Sequence, residues 1–518
     1  MTLSKFLQNA KLLFLAALMF SSAIALTNCG GGSGDGKGPI TPDTPTTAAS
    51  TACELSTFQF KAINNSGLTS DATATVATIQ NRNLVLITVP SGVNLTKLVP
   101  TFGVSSKATV KIGTVAATSG VTAANFTGDT DITVTAEDGK HSKKYFVLVR
   151  EGDANMDNEV YAVMKKYNIP GISVATTKGE KPAYEAGYGY SSLEQTPWTR
   201  TTPTTLFRLA SVSKFQCALC IMSLYEDGLI SPDDYVFAPA GANGTGSPQG
   251  ILYEMYPGTH AKGVDQIRVH HLLTHTSGWN YDLTGGADPI FTGDSRFYGK
   301  TLKARAEYMV SNIATGSTPG TSYSYYNLGY CLLGQIIEVL TGGTYEDYLR
   351  KVEAKAGVED VWIGKSDKGG RRANECVYYA QYGSTAYGND MSVVGACGAV
   401  INSAPNLMKV VCAMDYGTVV PDILKKETLD MVYKDYTTAN PPTTKNGYGY
   451  GWRILHYTLD NWASFHGGNI NGTATIIVRG KNGVNGVLLC NSRNAATDFD
   501  TALYLAINNI MQRVNLIY

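Results

Sequence analysis

Three short clusters of residues carry side chains that could do chemistry together. The first is Ser211-Val212-Ser213-Lys214. A free serine hydroxyl is a poor nucleophile and needs a nearby base and a positive environment. The Ser-x-x-Lys spacing puts the serine at a helix N-terminus and the lysine one turn later on the same face, so lysine and helix end supply both. The second cluster is Tyr325-Tyr326-Asn327. A tyrosine set beside a cation can act as a base. The third is His466-Gly467-Gly468-Asn469. Two glycines before a strand let a substrate backbone come close to its edge, and backbone N–H groups there can stabilise a developing oxyanion. Each cluster alone is weak, and their combination and order carry the specificity.

Elements must hold these clusters in place. The run 169–175 reads as a buried strand and 182–190 as its hairpin partner. The run 213–229 reads as a helix with Phe215, Leu219, Met222, Leu224 and Tyr225 on a broad apolar face. Further helical runs are 327–340, 344–352, 405–414 and 495–514. The runs 473–479 and 484–490 read as two strands flanking a turn, with His466 to Asn469 leading into the first. Strands, then many helices, then strands and a final helix describe a sheet built from both ends of the segment with a helical half between.

The clusters and the phrases around them resemble serine β-lactamase-like and penicillin-binding-protein-related hydrolases, on the class C and DD-peptidase/esterase side of that family. Leu206-Phe-Arg-Leu-Ala-Ser-Val-Ser-Lys214 looks like its nucleophile segment, with supporting phrases at 269–278, 324–330 and 448–452. The resemblance covers roughly 153–518. It implies an α/β fold, an antiparallel sheet flanked by helices plus an all-helical subdomain, and it assigns roles. Ser211 is the acyl-forming nucleophile. Lys214 keeps Tyr325 deprotonated or shuttles the proton itself. Tyr325 is the general base for attack and the acid for the leaving group. Asn327 orients Lys214 and the substrate amide. The N–H groups of Ser211 and Asn469 form the oxyanion hole, Gly468 lets the substrate approach, and His466 lines the strand side of the cleft. No cofactor or metal is implied.

One departure matters. Penicillin-processing relatives carry Lys-Thr-Gly where this chain has His466-Gly467-Gly468. That lysine helps hold a substrate carboxylate, whereas a histidine with an ordinary pKa of about 6.5 is only partly charged near neutrality. The expectation is therefore a peptidase, amidase or esterase acting on a small-molecule or peptide substrate, cell-wall D-amino-acid peptides included, with β-lactamase activity weak or absent. The rival readings are a β-lactamase or penicillin-binding sensor, and a surface binding protein whose hydrolase fold has lost activity.

The N-terminus reads as an export signal over 1–28, with Lys5 and Lys11 ahead of an apolar stretch from Leu12 to Leu26. That stretch falls short of the roughly 20 apolar residues of a spanning helix. It ends at Leu26-Thr27-Asn28-Cys29, which resembles the lipobox of bacterial lipoproteins and implies lipidation of Cys29. Residues 29–50, rich in Gly and then Pro/Thr, form a tether that buries no core. Residues 51–151 alternate in short strand-like runs, with Glu137-Asp138-Gly139-Lys140 as a hairpin turn. They predict an all-β, Ig-like sandwich module and resemble the modules that begin surface lipoproteins of gut-type Bacteroidetes. Residues 152–518 form the hydrolase domain. The whole describes a lipid-anchored cell-envelope protein at the outer membrane, facing periplasm or surface.

Composition narrows the class. The 518 residues carry 42 Lys+Arg against 42 Asp+Glu, and only 16% are charged. That excludes the basic excess of a nucleic-acid binder and the composition of a disordered polyelectrolyte. Cys217-x-x-Cys220 sits in a helical pattern without redox flanks. His271 and His275 are four apart, as zinc ligands can be, but lack a third ligand or an adjacent Glu. No Gly-x-Ser-x-Gly elbow and no phosphate loop occurs. Oligomeric state is left open.

Overall fold

The computed structural model describes residues 48–517 apart from 382, 384, 438–445 and 457–461. The export signal, Cys29 and nearly all of the tether lie outside the described residues. No helix among the described residues is long and apolar enough to cross a membrane.

The module is a sandwich of two sheets. One has six strands in the spatial order Thr75–Ile79, Arg82–Val89, Ser142–Glu151, Thr130–Thr135, Thr109–Ile112 and Val115–Ala116; the other has Ala72–Thr73, Leu55–Phe60 and Pro100–Val104. The turn expected at 137–140 closes the hairpin that pairs Thr135 with Ser142. Gly139 takes a positive φ there, and the Asp138 carboxylate accepts from the N–H groups of Lys140 and His141. Phe58, Phe60 and Phe126 pack edge-to-face at 5.2–6.2 Å in the core.

Strand Arg82–Val89 is buried on both faces, and its period of two divides it between two cores. Val85, Ile87 and Val89 face the sandwich. Leu84 and Leu86 join a second core with helix residues Met156, Val160, Tyr161 and Met164. The module is thus fused to the hydrolase through a shared apolar layer.

That helix, α1 (Ala154–Tyr167), opens the hydrolase and was not anticipated from the sequence. The Asp153 carboxylate caps it, accepting from the N–H groups of Asn155 and Met156. The strands and helices that matter most follow in chain order: β1 (Gly171–Lys178), β2 (Lys181–Ser192), α2 (Ser213–Glu226), α3 (Asn327–Thr341), α4 (Ala404–Cys412), β3 (Trp462–Ile470), β4 (Thr473–Gly480), β5 (Val484–Cys490) and α5 (Phe499–Ile517). The sheet is antiparallel. β1 lies between β2 and β5, with Ile172 opposite Cys490 and Lys178 opposite Val484. Both ends of the segment therefore build one sheet, as the element order implies. Leu488 and Cys490 of β5 point into the core shared with α1, α5 and the module, while Val487 and Leu489 point to the helical side.

Two local expectations change. The helix expected to bury one face is buried all round: every residue from Ser213 to Leu224 is inside. Its side chains are almost all small or apolar, which is the pattern of a central helix. His466 to Asn469 do not merely precede a strand. They lie within β3, paired to β4 from Gly468 opposite Thr475 to Asn469 opposite Ala474. Two glycines and two polar residues hide the strand's alternation, and pairing with β4 supplies what propensity lacks.

Candidate active site

The Ser211 hydroxyl is held at a strained turn. Ser211 sits in the single 3-10 turn Ala210–Val212 that runs into α2. Ala210, just before it, has a φ of +49°, in the left-handed region that a non-glycine residue occupies only when its surroundings force it. The forcing groups are visible. The Leu209 N–H donates to the Val400 carbonyl at 2.8 Å, and the Thr475 hydroxyl of β4 donates to the Leu209 carbonyl at 2.7 Å. Gly468 of β3 presses on the same turn. A Cβ there would stand 2.2 Å from the Leu209 oxygen and 2.1 Å from Thr475 Oγ1, so only glycine fits.

Lys214 lies one turn further, with no exposed surface. Its ammonium has three N–H groups, and each has a partner: Ser211 Oγ at 3.1 Å, Asn327 Oδ1 at 2.9 Å and the Cys397 carbonyl at 2.8 Å. Burial works against its charge, but the adjacent Tyr325 and Cys397 outweigh it and the pKa moves up. Lys214 is therefore held as a cation that donates to Ser211 Oγ.

Asn327 begins α3. Its amide nitrogen donates to Asp288 Oδ2 at 2.7 Å, which leaves Oδ1 to face Lys214 and settles the amide's orientation. Asp288 also accepts from the Tyr281 hydroxyl at 3.2 Å.

Tyr325 is half-buried, its ring centroid 4.9 Å from Lys214 Nζ. His275 brackets it. The Ser324 N–H donates to the His275 carbonyl at 2.8 Å, the Tyr326 N–H donates to His275 Nδ1 at 3.1 Å, and the imidazole lies 4.3 Å from the Tyr325 ring centroid. His275 itself has a φ of +57°, and burial holds it neutral, well below its ordinary pKa. His271 accepts from the Arg268 N–H at 3.1 Å and closes a helix N-terminus. Both histidines of the zinc-like pair thus have local structural partners, and no cluster of three or more metal-ligating side chains occurs among the described residues.

His466 lies on the cleft side of β3 but is sealed from it, with 1% of its surface exposed. Its Nδ1–H donates to the Gly467 carbonyl at 2.8 Å, which leaves Nε2 to accept from the Tyr448 hydroxyl at 3.0 Å. Burial, then Arg453 and Lys214, push its pKa well down. The imidazole is neutral at any physiological pH. A positive group does stand at the cleft: the Arg453 guanidinium carbon lies 5.7 Å from the Tyr325 ring centroid. Arg453 also lines a cavity of about 530 Å³ together with Phe465, Gly467, Gly468, Asn469 and Tyr504.

Every catalytic and substrate-side residue expected from the sequence comes to this one place. Sequence reasoning did not find His275, Asp288 and Arg453 as site residues, nor the Cys397 carbonyl. Arg453 follows directly on the aromatic run 448–452, and that adjacency was its only signal.

Residues 156–508 match the Beta-lactamase family and residues 64–149 match the SGBP, N-terminal family. Protein flp of Staphylococcus aureus is 26% identical over 203 residues, which are 39% of this chain and 36% of that protein. The chain thus spans about a third of the length of such relatives. A D-amino acid amidase from Ochrobactrum anthropi SV3 superposes with a TM-score of 0.53 at 21% identity, over 70% of this chain and 99% of that one. The octameric penicillin-binding protein homologue from Pyrococcus abyssi superposes with a TM-score of 0.54 at 24% identity, over 68% and 77%. These two share the fold. With its family match covering well over half of the residues, the chain belongs to the β-lactamase family of hydrolases, carried behind an SGBP N-terminal module.

Proposed function

We propose that this protein is an envelope-anchored serine hydrolase that forms an acyl-enzyme on Ser211 and cleaves an amide or ester bond whose leaving group carries a carboxylate, as in cell-wall-type D-amino-acid peptides. One observation carries the reading: a buried Lys214 bonds Ser211 Oγ and Asn327 Oδ1 at once, with Tyr325 beside it.

In this reading Tyr325 enters as the phenolate that Lys214 supports, and Ser211 Oγ attacks the acyl carbon while its proton passes to Tyr325 Oη. Lys214, held charged beside both hydroxyl-bearing groups, gives this transfer electrostatic support. The oxyanion meets the N–H groups of Ser211 and Asn469. Among the described residues β3 is paired on its outer side at Phe465 and Ser464 alone, which leaves its edge at 466–470 to the cleft. The tetrahedral intermediate collapses, the bond to the leaving group breaks, and Tyr325 returns the proton to the leaving atom. Water then repeats the sequence on the acyl-enzyme, with Tyr325 as base, and frees the acid and Ser211.

Arg453 is the group suited to pair with a substrate carboxylate, since His466 is neutral and engaged with Tyr448. A guanidinium beside the Tyr325 ring suits a flexible peptide carboxylate, and β-lactam turnover is expected to be weak or absent. The similarity of fold to a D-amino acid amidase supports amide or peptide substrates. The SGBP N-terminal match supports a surface location, with Cys29 as the lipid attachment and 29–50 as tether.

The test is intact-protein mass after exposure to a fluorophosphonate and, separately, to a penicillin. A single fluorophosphonate adduct that disappears in Ser211→Ala is expected, with little stable or turning-over penicillin. Absence of any adduct on folded protein would return the weight to an inactive binding protein.

A further inference from the structure

The cavity beside β3 lies on one definable side of the reaction. Tyr325 must hand its proton to the leaving atom, so the leaving group lies on the Tyr325 side of the scissile bond. Arg453 overhangs the Tyr325 ring and also forms the wall of the cavity. Asn469, on the oxyanion side, lies two residues beyond Gly467 along the same strand. Gly468, packed on the nucleophile turn, and Gly467 beside it both line the cavity, so the cavity adjoins that turn at these two residues.

Gly467 and Gly468 lack side chains for different reasons. At Gly468 a Cβ would collide with the nucleophile turn. At Gly467 a Cβ would meet nothing nearer than the Thr475 carbonyl oxygen at 3.9 Å, and the residue is exposed with no left-handed φ. Packing and backbone both permit a side chain at 467, and its absence leaves open space. Behind that opening the cavity is mainly apolar, walled by Phe465, Ile476, Leu503 and Tyr504, and its volume of about 530 Å³ is far more than a methyl group would fill.

We infer that Gly467 is the gate of a leaving-group subsite that takes a bulky apolar side chain, so that the preferred leaving group is an amino acid or hydroxy acid with an aromatic or large aliphatic side chain and a free carboxylate. This rests on the reading of Ser211 and Tyr325 above. The side chain enters past Gly467 against Phe465 and Leu503 while the carboxylate stays at Arg453. Transfer of such a side chain from water into an apolar pocket favours the larger substrate in the acylation step.

The test uses two hippuryl esters that share one acyl group and one carboxylate and differ only in the leaving group, lactate or phenyllactate. Wild-type protein is expected to cleave the phenyllactyl ester with a kcat/KM at least roughly tenfold higher, the scale set by a few buried methylene equivalents. Gly467→Thr, which places a branched side chain in the gate, is expected to bring the ratio to one or below. Thr501→Trp, which fills the exposed rim from α5, is expected to lower it as well and does not touch β3. Cleavage of both esters at equal rates by wild type overturns the inference and leaves the hydrolase reading standing, as does a ratio unchanged in both variants. Ser211 labelling by fluorophosphonate with neither ester consumed also overturns it. Failure of labelling together with failure of both esters is instead the failure of the hydrolase reading itself.

Discussion

At the seam between module and hydrolase, Asp157 of α1 is fully buried. It receives the Arg150 guanidinium at 3.0 Å, the Thr88 hydroxyl at 2.7 Å and the Tyr188 hydroxyl at 2.7 Å, and it also accepts from Tyr184. At the active site Lys214 is equally buried and equally saturated. The two networks solve the same problem, since a buried charge is tolerable only when paired and hydrogen-bonded. They differ in what the partners are. Those of Asp157 are a full counter-charge and side chains sealed in two packed cores. Those of Lys214 are neutral oxygens, and one of them, Ser211 Oγ, is half-buried at the cleft. The Asp157 network spends its electrostatics inside the fold; among the described residues the Lys214 ammonium has no carboxylate bonded to it, so its charge acts on the groups at the cleft.

That contrast breaks most sharply under substitution of its two centres. Lys214→Met keeps an unbranched chain in the core and removes the charge. It is expected to slow Ser211 acylation by about 10³–10⁴-fold, the upper range for lost electrostatic and proton-transfer assistance. Its stability should change little, because an apolar replacement of a buried charge is often near neutral. Stopped-flow acylation and thermal melting, run on the same preparation, read both quantities. A melting loss as large as the rate loss would mean that Lys214 is a structural ion like Asp157.

The converse is Asp157→Asn. It leaves Arg150 without its counter-charge at the seam and is expected to cost about 3–5 kcal/mol of stability. The acylation rate per folded molecule should stay as in wild type. Urea titration followed by separate signals from module and hydrolase should show both melting together and earlier, since Leu84 and Leu86 share a core with α1. Separate transitions would show that the seam does not couple them.

His275 tests how far the active-site network extends beyond groups that touch substrate. It is a positioning residue for Tyr325, through two backbone bonds and a ring contact. His275→Ala is expected to lower the acylation kcat about 10–100-fold, the scale of a small misplacement of a reacting group, with KM little changed. His275→Asn should recover part of the loss, because asparagine tolerates the left-handed backbone. A fall in KM and kcat that merely tracks lost stability would leave His275 as ordinary core.

The smallest effect concerns a third buried charge. Glu353 packs behind α2, accepting from Gln216 and, at 3.1 Å, from Asn402. Burial pushes its pKa up to about 8 from an ordinary 4.5. The folded state therefore holds a proton that the unfolded state has released across that interval. Its contribution to stability is full below the unfolded pKa and is lost as pH rises towards 8. Melting temperatures between pH 5 and 8 should fall more steeply in wild type than in Glu353→Gln. Parallel curves would mean that the carboxylate stays ionised.

Much of the hydrolase was legible because its signals are local. Ser211, Lys214, Tyr325 and Asn327 announce themselves by spacing at helix starts, and the long apolar runs of α2, α3, β4 and β5 show their elements directly. β3 was harder, since Gly467 and Gly468 erase the alternation that marks a strand. α1 was missed because polar residues crowd its sequence and its buried face forms only against α5 and the module. Arg453, His275 and Asp288 were missed as site residues for a related reason: each acts on a partner 39 to 128 positions away, and nothing in its own neighbourhood distinguishes it from a surface or packing residue.

The sequence by itself determined the candidate reacting groups, their order and the two-part plan of strand module and hydrolase. These follow from residue type and near-neighbour spacing, which the chain's local geometry turns into helix faces and turns. Only the tertiary structure decided the electrostatics. It made Lys214 a buried cation and His466 a neutral imidazole, placed Arg453 as a further positive group at the cleft, and fused the module to the hydrolase through one strand. The physical reason is that a group's charge state depends on its burial and on partners brought by distant segments, and neither is encoded at the position itself.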